Sequence, residues 1–303
     1  SLSTSGKAQQ TSISDKGAIE PLVTLLSDVN PRCRARAAGA ISGLCANHKF
    51  NQDLVTALGG IVPLVSLLVP LEVGKEEGAS AELARLRTEV AANAASGLSE
   101  LARGHYANQV AIAGVGAIVP LIKLVQHGGE TGDGSDSLGA SLGTGGGSGG
   151  SGGGRGGDGG TDGPGGSSVG DVAATSLRAK ESAALALWCL ADQNYANQVD
   201  VAAHDGLAPL IALLGTGSVN AERNAAGALG ALSRENMENE ERIAAMLVEL
   251  LSGAGAPEKA ARAISRLASQ SVDSQNAIAR AGGIPLLVAL LEKGVAAMTR
   301  LAN

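Results

Sequence analysis

Residues 51–68 read NQDLVTALGGIVPLVSLL, and this phrase decides the fold because the chain repeats it. Gln52 leads to Gly59, Pro63 and the apolar pair Leu67-Leu68. Gln10 leads in the same way to Gly17, Pro21 and Leu25-Leu26, Gln109 to Gly116, Pro120 and Leu124-Val125, and Gln198 to Gly206, Pro209 and Leu213-Leu214. Gln275 leads to Gly282 and Leu290-Leu291, with Pro285 one place early. The stretch from Asn239 to Leu251 is a degenerate copy that keeps Leu250-Leu251 and lacks both the Gly and the Pro.

The phrase has a physical reading. A short helix is stopped by Gly, which adopts φ > 0 without a Cβ penalty, and Pro then sits in the first turn of a second helix, where its missing N–H costs little. A third helix with apolar spacing near 3.6 follows, as in Ala37, Ala38, Ile41 and Leu44, and again in Ala183, Ala184, Leu187 and Leu190. Three helices per unit are expected. The second residues of the apolar pairs stand at 26, 68, 125, 214, 251 and 291, separated by 42, 57, 89, 37 and 40 residues, a period of about 40 with two insertions.

NQDLVTALGGIVPLVSLL, SQNAIARAGGIPLLVALL and ANQVDVAAHDGLAPLIALL resemble armadillo repeats, and the pattern covers nearly the whole chain outside the insertions. The resemblance implies an all-α, armadillo-type α-solenoid of about six units, a right-handed superhelix whose third helices line a concave groove that grips extended peptides or partner surfaces. It names no partner.

Both insertions fall between the apolar pair and the third helix. Residues 72–86 in the second unit are charged, either a loop or a backward extension of the third helix through Ala79 to Leu86. Residues 128–171 in the third unit hold 22 of the chain's 44 glycines. That composition cannot repay the entropy of ordering, so a disordered spacer is expected. Within it, the run from Gly153 to Asp158 has Gly160 where a calcium-binding nonapeptide needs an apolar residue. The GxGxxG matches follow no strand, and the single RGG at Arg155 is read as spacer.

Composition narrows the function. Hydrophobic residues are 44% of the chain and aromatics 1%, so the core must be aliphatic and the helices closely packed. A net charge of −6 with dispersed signs gives no reason to expect a nucleic-acid partner, which wants a strongly basic face. The longest apolar stretch, Gly59 to Leu71, is interrupted by Pro63 and Ser66, so no membrane insertion is expected. Cys33, Cys45 and Cys189 lack disulfide or metal spacing, which suggests a reducing compartment, cytoplasmic or nuclear. The chain starts without Met, as a piece of a longer protein would.

No residue set reads as catalytic, and no cofactor or metal is expected. Cys189 can face the groove, but the nearest histidine is His204, in the next unit. His48, His105, His127 and His204 fall at helix ends or turns and share no helix face. Gly6-Lys7-Ala8 lacks the leading Gly and trailing Ser/Thr of a phosphate loop.

The partner-binding residues are read from the third helices. In armadillo repeats that carry nuclear-import signals, a Trp/Asn pattern forms ladders along this face. Here Gly43, Glu100, Cys189, Ala231, Arg266 and Arg300 stand at the Asn place, and Gly39, Ser96, Leu185, Gly227, Arg262 and Ala296 at the Trp place, so an import receptor is not expected. One turn back run Arg36, Asn93, Ser182, Asn224 and Lys259. Arg36, Asn93, Glu100, Asn224, Lys259, Arg262, Arg266 and Arg300 are therefore the candidate groove residues, basic at both ends, with an acidic segment the expected guest of the C-terminal end. The functional expectation is a non-catalytic interaction scaffold. The alternatives are a structural subunit of a large assembly, which exposed Ala-rich convex helices would favour, and the substrate-recruiting part of a longer ubiquitin ligase.

Overall fold

A computed structural model describes residues 2–69, 81–128, 169–216, 218–253, 257–269 and 272–302; side chains at 2–5, 81, 169–170 and 294–302 are outside it. Every regular element among these residues is a helix. The first four units each have three: α1 (Leu2–Asp15), α2 (Ile19–Leu25) and α3 (Pro31–Cys45); α4 (Lys49–Ala57), α5 (Ile61–Ser66) and α6 (Ala81–Ala102); α7 (Tyr106–Gly114), α8 (Ile118–His127) and α9 (Val169–Ala191); α10 (Tyr195–Ala203), α11 (Leu207–Leu213) and α12 (Val219–Ser233).

The repeat phrase does what its chemistry dictates. Gly17, Gly59, Gly116 and Gly282 all take positive φ between first and second helices, and Pro21, Pro63, Pro120 and Pro209 each stand third in their second helix. The fourth unit departs from the expectation. There Asp205 takes the left-handed turn at φ 57, while Gly206 is right-handed at φ −70. Gly206 is required for space instead: a Cβ on it would lie 2.6 Å from Val201 Cγ1 and 2.8 Å from the Val201 carbonyl oxygen.

Three helices per unit do not persist to the C-terminus. In the degenerate copy, with no Gly or Pro to break it, first and second helices fuse into α13 (Met237–Ser252), followed by the third helix α14 (Pro257–Ala268). Then come α15 (Val272–Arg280) and α16 (Gly283–Ala302), one unbroken helix where a second and a third were expected.

Residues 72–80 and 129–168 of the expected insertions lie outside the described residues, but their C-terminal edges are helical. α6 has 22 residues and α9 has 23, against 15 in α3 and in α12, because both run backward into the insertions. α6 and α9 pack on each other.

The core is aliphatic throughout: Ile41, Leu64, Leu98, Leu101, Leu121, Leu187, Leu190 and Leu210 are fully buried, with Ala between them where helices meet closely. Third helices contact one another in series, α3 to α6 to α9 to α12 to α14. This unbroken row is the inner face of the stack.

Candidate partner-binding face

The row is held together by a polar ladder at its edge. The buried Asn51, Asn108, Asn197 and Asn239 each donate from Nδ2 to the carbonyl seven residues earlier, at Leu44, Leu101, Leu190 and Leu232, at 2.7–3.0 Å. These carbonyls close the preceding third helix, where the last turn has no intrahelical partners. The neighbouring glutamine reaches the third helix of its own unit: Gln52 donates to Glu100 O at 2.7 Å, Gln109 to Cys189 O at 2.8 Å, and Gln198 to Ala231 O at 3.0 Å. Each Asn-Gln pair thereby ties two successive third helices, at about 1 kcal/mol net per bond. Gln marks the repeat in the sequence, yet its period alone does not disclose this role.

The candidate residues fare differently. Asn93 is buried, donates to Ala35 O at 2.9 Å and accepts from Arg178 at 2.7 Å. Asn224 donates to Glu181 O at 2.9 Å. Both bridge adjacent third helices. Glu100 is closed by Arg103, whose Nε and Nη2 donate at 3.1 and 2.9 Å. The middle of the face is sealed by Trp188, which lies so flat on α12 that a Cβ on Gly227 would stand 2.5 Å from its ring.

At the C-terminal end, Arg262 and Arg266 converge on Glu222 of α12, at 3.6 and 2.8 Å, and the Glu222 side chain is only 5% exposed. One buried carboxylate thus offsets part of the basic stripe. Lys259 remains exposed, its stem lying over Gly215, and has no ion-pair partner among the described residues. Arg300 falls in the last turn of α16, and its side chain is outside the described residues.

At the N-terminal end, a cavity of about 230 Å³ opens between α3 and α6, lined by Arg32, Ala35, Arg36, Glu82, Arg85, Leu86 and Glu89. Arg32 is held by Glu82 at 2.6 Å. Among the described residues Arg36 is exposed without an ion-pair partner, and the buried Nε of Arg85 has no hydrogen-bond partner. Arg85 escaped the sequence reading because it lies in the charged insertion; its arrival on the groove depends on α6 extending backward.

Cys189 does not face the groove but is buried, and burial pushes its thiol up to about 12, against a smaller lowering by Arg103. Burial likewise raises Cys45 to about 12. His48 and His105 are helix N-caps, their Nδ1 atoms accepting from Asn51 and Asn108. Among the described residues no three His, Cys, Asp or Glu side chains group as a metal site, and no single helix is long and apolar enough to cross a membrane.

The armadillo/beta-catenin-like repeat family matches residues 8–46, the first unit. The chain has the fold of an armadillo-type α-solenoid. An engineered protein of known crystal structure shares 21% identity with it at a TM-score of 0.55, over 90% of this chain and 88% of that one. A designed armadillo repeat protein, YIII(Dq)4CqI, shares 19% at a TM-score of 0.53, over 90% and 91%. Another, YIII(Dq.V1)4CPAF, solved in complex with the peptide (KR)4, shares 18% at 0.51, again over 90% and 91%. No curated protein sequence matches the chain. At such identities the structural likeness is one of fold.

Proposed function

We propose that this chain is a non-catalytic scaffold that holds an extended segment of a partner protein along the row of third helices, with acidic residues of that segment at the two ends. The observation that carries this reading is the placement of two exposed cations that have no ion-pair partner among the described residues. The middle of the row is closed by its own hydrogen bonds, while Arg36 at one end and Lys259 at the other keep exposed charges. At 8–10 Å between packed helices, the four steps from α3 to α14 span about 32–40 Å, or about 10–12 extended residues. Arg262 and Arg266 strengthen the C-terminal end only by what Glu222 leaves of their charge. The buried free thiols of Cys45 and Cys189 suit a reducing compartment, cytoplasm or nucleus.

The test is photo-crosslinking with the reactive residue at Ser96 or Ser182 on the row, or at the exposed Val62 of α5 on the opposite side. A partner segment trapped from Ser96 and Ser182 but not Val62 is the expected result. Capture only from Val62 would refute the reading.

A second reading, a subunit whose outer side is also covered, is favoured by the exposed Ala107, Val110, Ala196, Val199 and Ala203 on α7 and α10.

A further inference from the structure

The chain contains four aromatic residues, and none is fully buried: Tyr106 and Tyr195 are each 63% exposed, Phe50 is 62% exposed, and Trp188 is half-buried. An aliphatic core that leaves every Tyr and Phe in solvent is unusual, because aromatic rings carry the largest hydrophobic driving force per residue. Their positions are also repeated. Tyr106 and Tyr195 are the first residues of α7 and α10, which share the sequence Tyr-Ala-Asn-Gln-Val.

On each helix Asn and Gln point inward to the ladder described above, so Tyr106, Ala107 and Val110 share the outward face of α7, and Tyr195, Ala196 and Val199 that of α10. Val110 is 49% exposed and Val199 45%. The two helices are in contact. Neighbouring units show that the fold does not need apolar residues there. Asp53 stands at the place of Val110 in α4, and Glu238 and Glu241 stand at the places of Ala196 and Val199 in α13. Charge is accepted at these positions in the units on either side, and only α7 and α10 lack it.

We propose that the outer face of α7 and α10 is a docking site for an amphipathic helix of a partner protein, its apolar stripe lying across the two tyrosines and valines and its basic end reaching Glu238 and Glu241. The charge pattern selects the occupant. α13 packs beside α10, and its exposed Glu238 and Glu241 make the C-terminal border of the patch acidic. On the other border Asp53 is already engaged by His105 at 2.6 Å. A helix crossing from α7 to α13 covers about 20 Å, roughly 13 residues at 1.5 Å rise, with anchors at i, i+3, i+4 and i+7. Lysines in its last turn would meet the two glutamates and also suit its own dipole. An anionic membrane surface would be repelled by the same border. This site is on first helices, so it stands apart from the row of third helices and does not depend on how that row is used.

The experiment uses a fluorescein-labelled 18-residue peptide with Leu at i, i+3, i+4 and i+7 and Lys in its last two turns, and a second peptide with Glu in place of Lys. Fluorescence anisotropy on the full chain should show the Lys peptide binding at least fivefold more tightly than the Glu peptide. Val110→Asp with Val199→Asp should weaken it at least tenfold, and Glu238→Lys with Glu241→Lys at least threefold with a flatter salt dependence. Arg36→Ala with Lys259→Ala should leave it unchanged. Circular dichroism checks each variant, and Tyr106→Ala with Tyr195→Ala replaces the valine pair if that variant does not fold. Failure of the Lys peptide to bind, or binding indifferent to both the valine and the tyrosine pairs, overturns the proposal. So does sedimentation showing a dimer that Val110→Asp and Val199→Asp dissolve, or zwitterionic vesicles whose binding those changes abolish.

Discussion

The two ends of the inner face carry the same sign of charge and handle it differently. At the N-terminal end Arg36 is exposed beside a cavity of about 230 Å³, with no ion-pair partner among the described residues. At the C-terminal end Arg262 and Arg266 fold back onto a carboxylate buried in the adjacent third helix. A stripe of cations in a repeat protein is therefore not yet a binding surface. In a stack, every third helix faces the next one, and a residue one unit away decides whether a charge is offered to a guest or used to join the units. Glu222 is that residue here, since it converts two of the three cations of α14 into an inter-repeat clamp.

The largest expected effect separates the two ends by stability. Removing both clamp arginines, Arg262→Ala with Arg266→Ala, leaves Glu222 buried without them and should cost about 2–3 kcal/mol, below the full cost of breaking a buried pair because both arginines are partly exposed. Arg36→Ala should change stability by about 0.5 kcal/mol or less. Denaturant midpoints of the two variants check this, and equal midpoints would erase the distinction. Reversing both clamp arginines to Glu would set three carboxylates together, so that change disturbs folding before it reports on binding.

The region between the ends is expected to be rigid. Gly227→Ala pushes a methyl against the Trp188 ring at 2.5 Å and should cost about 2 kcal/mol by overpacking. Gly43→Ala, on the same helix row with open space around it, should be neutral or slightly stabilising by helix propensity. Thermal midpoints of the two would show whether the middle is closed as tightly as the geometry implies.

Near neutral pH the thiols should be inert. Cys189 should be alkylated well below the rate of a free thiol, because burial opposes its thiolate. The same shift fixes a pH dependence with a definite sign. The folded-state values of Cys45 and Cys189 lie above their ordinary value of 9.0, so their contribution is complete below about pH 9 and is lost as pH rises towards 12. The slope is about 1.4 kcal/mol per pH unit for each thiol. Cys45→Ala with Cys189→Ala should flatten that part of the alkaline unfolding profile, and an unchanged profile would place the loss elsewhere.

How far the sequence carries is visible in single residues. Gly59 and Pro63 state the bend between helices directly, because only a few residue types suit those backbone positions. Gly206 is also legible as essential, yet for the wrong reason: Asp205 takes the turn and Gly206 supplies clearance. Asp205→Gly should therefore stabilise the chain by about 1 kcal/mol, a test read from the thermal midpoint. The fusion of α13 follows from the missing Gly and Pro, whereas the continuity of α16 does not, since Gly282 and Pro285 announce a normal unit. The fate of Asn93, Asn224 and Arg266 was not legible at all. Each is decided by an atom of the neighbouring third helix, 43 to 85 residues away in the chain.

The proposed grip on an extended segment rests on Arg36 and Lys259, the exposed cations at the two ends of the inner face. The most direct test measures the affinity of a labelled twelve-residue peptide with two glutamates at each end and a Gly/Ser centre, at low and high salt. Binding should weaken with salt, be lost when the glutamates become lysines, and fall at least tenfold in Arg36→Ala with Lys259→Ala while that variant stays folded. Binding that is equally tight for the lysine-ended peptide, or unchanged in the double variant, would contradict it.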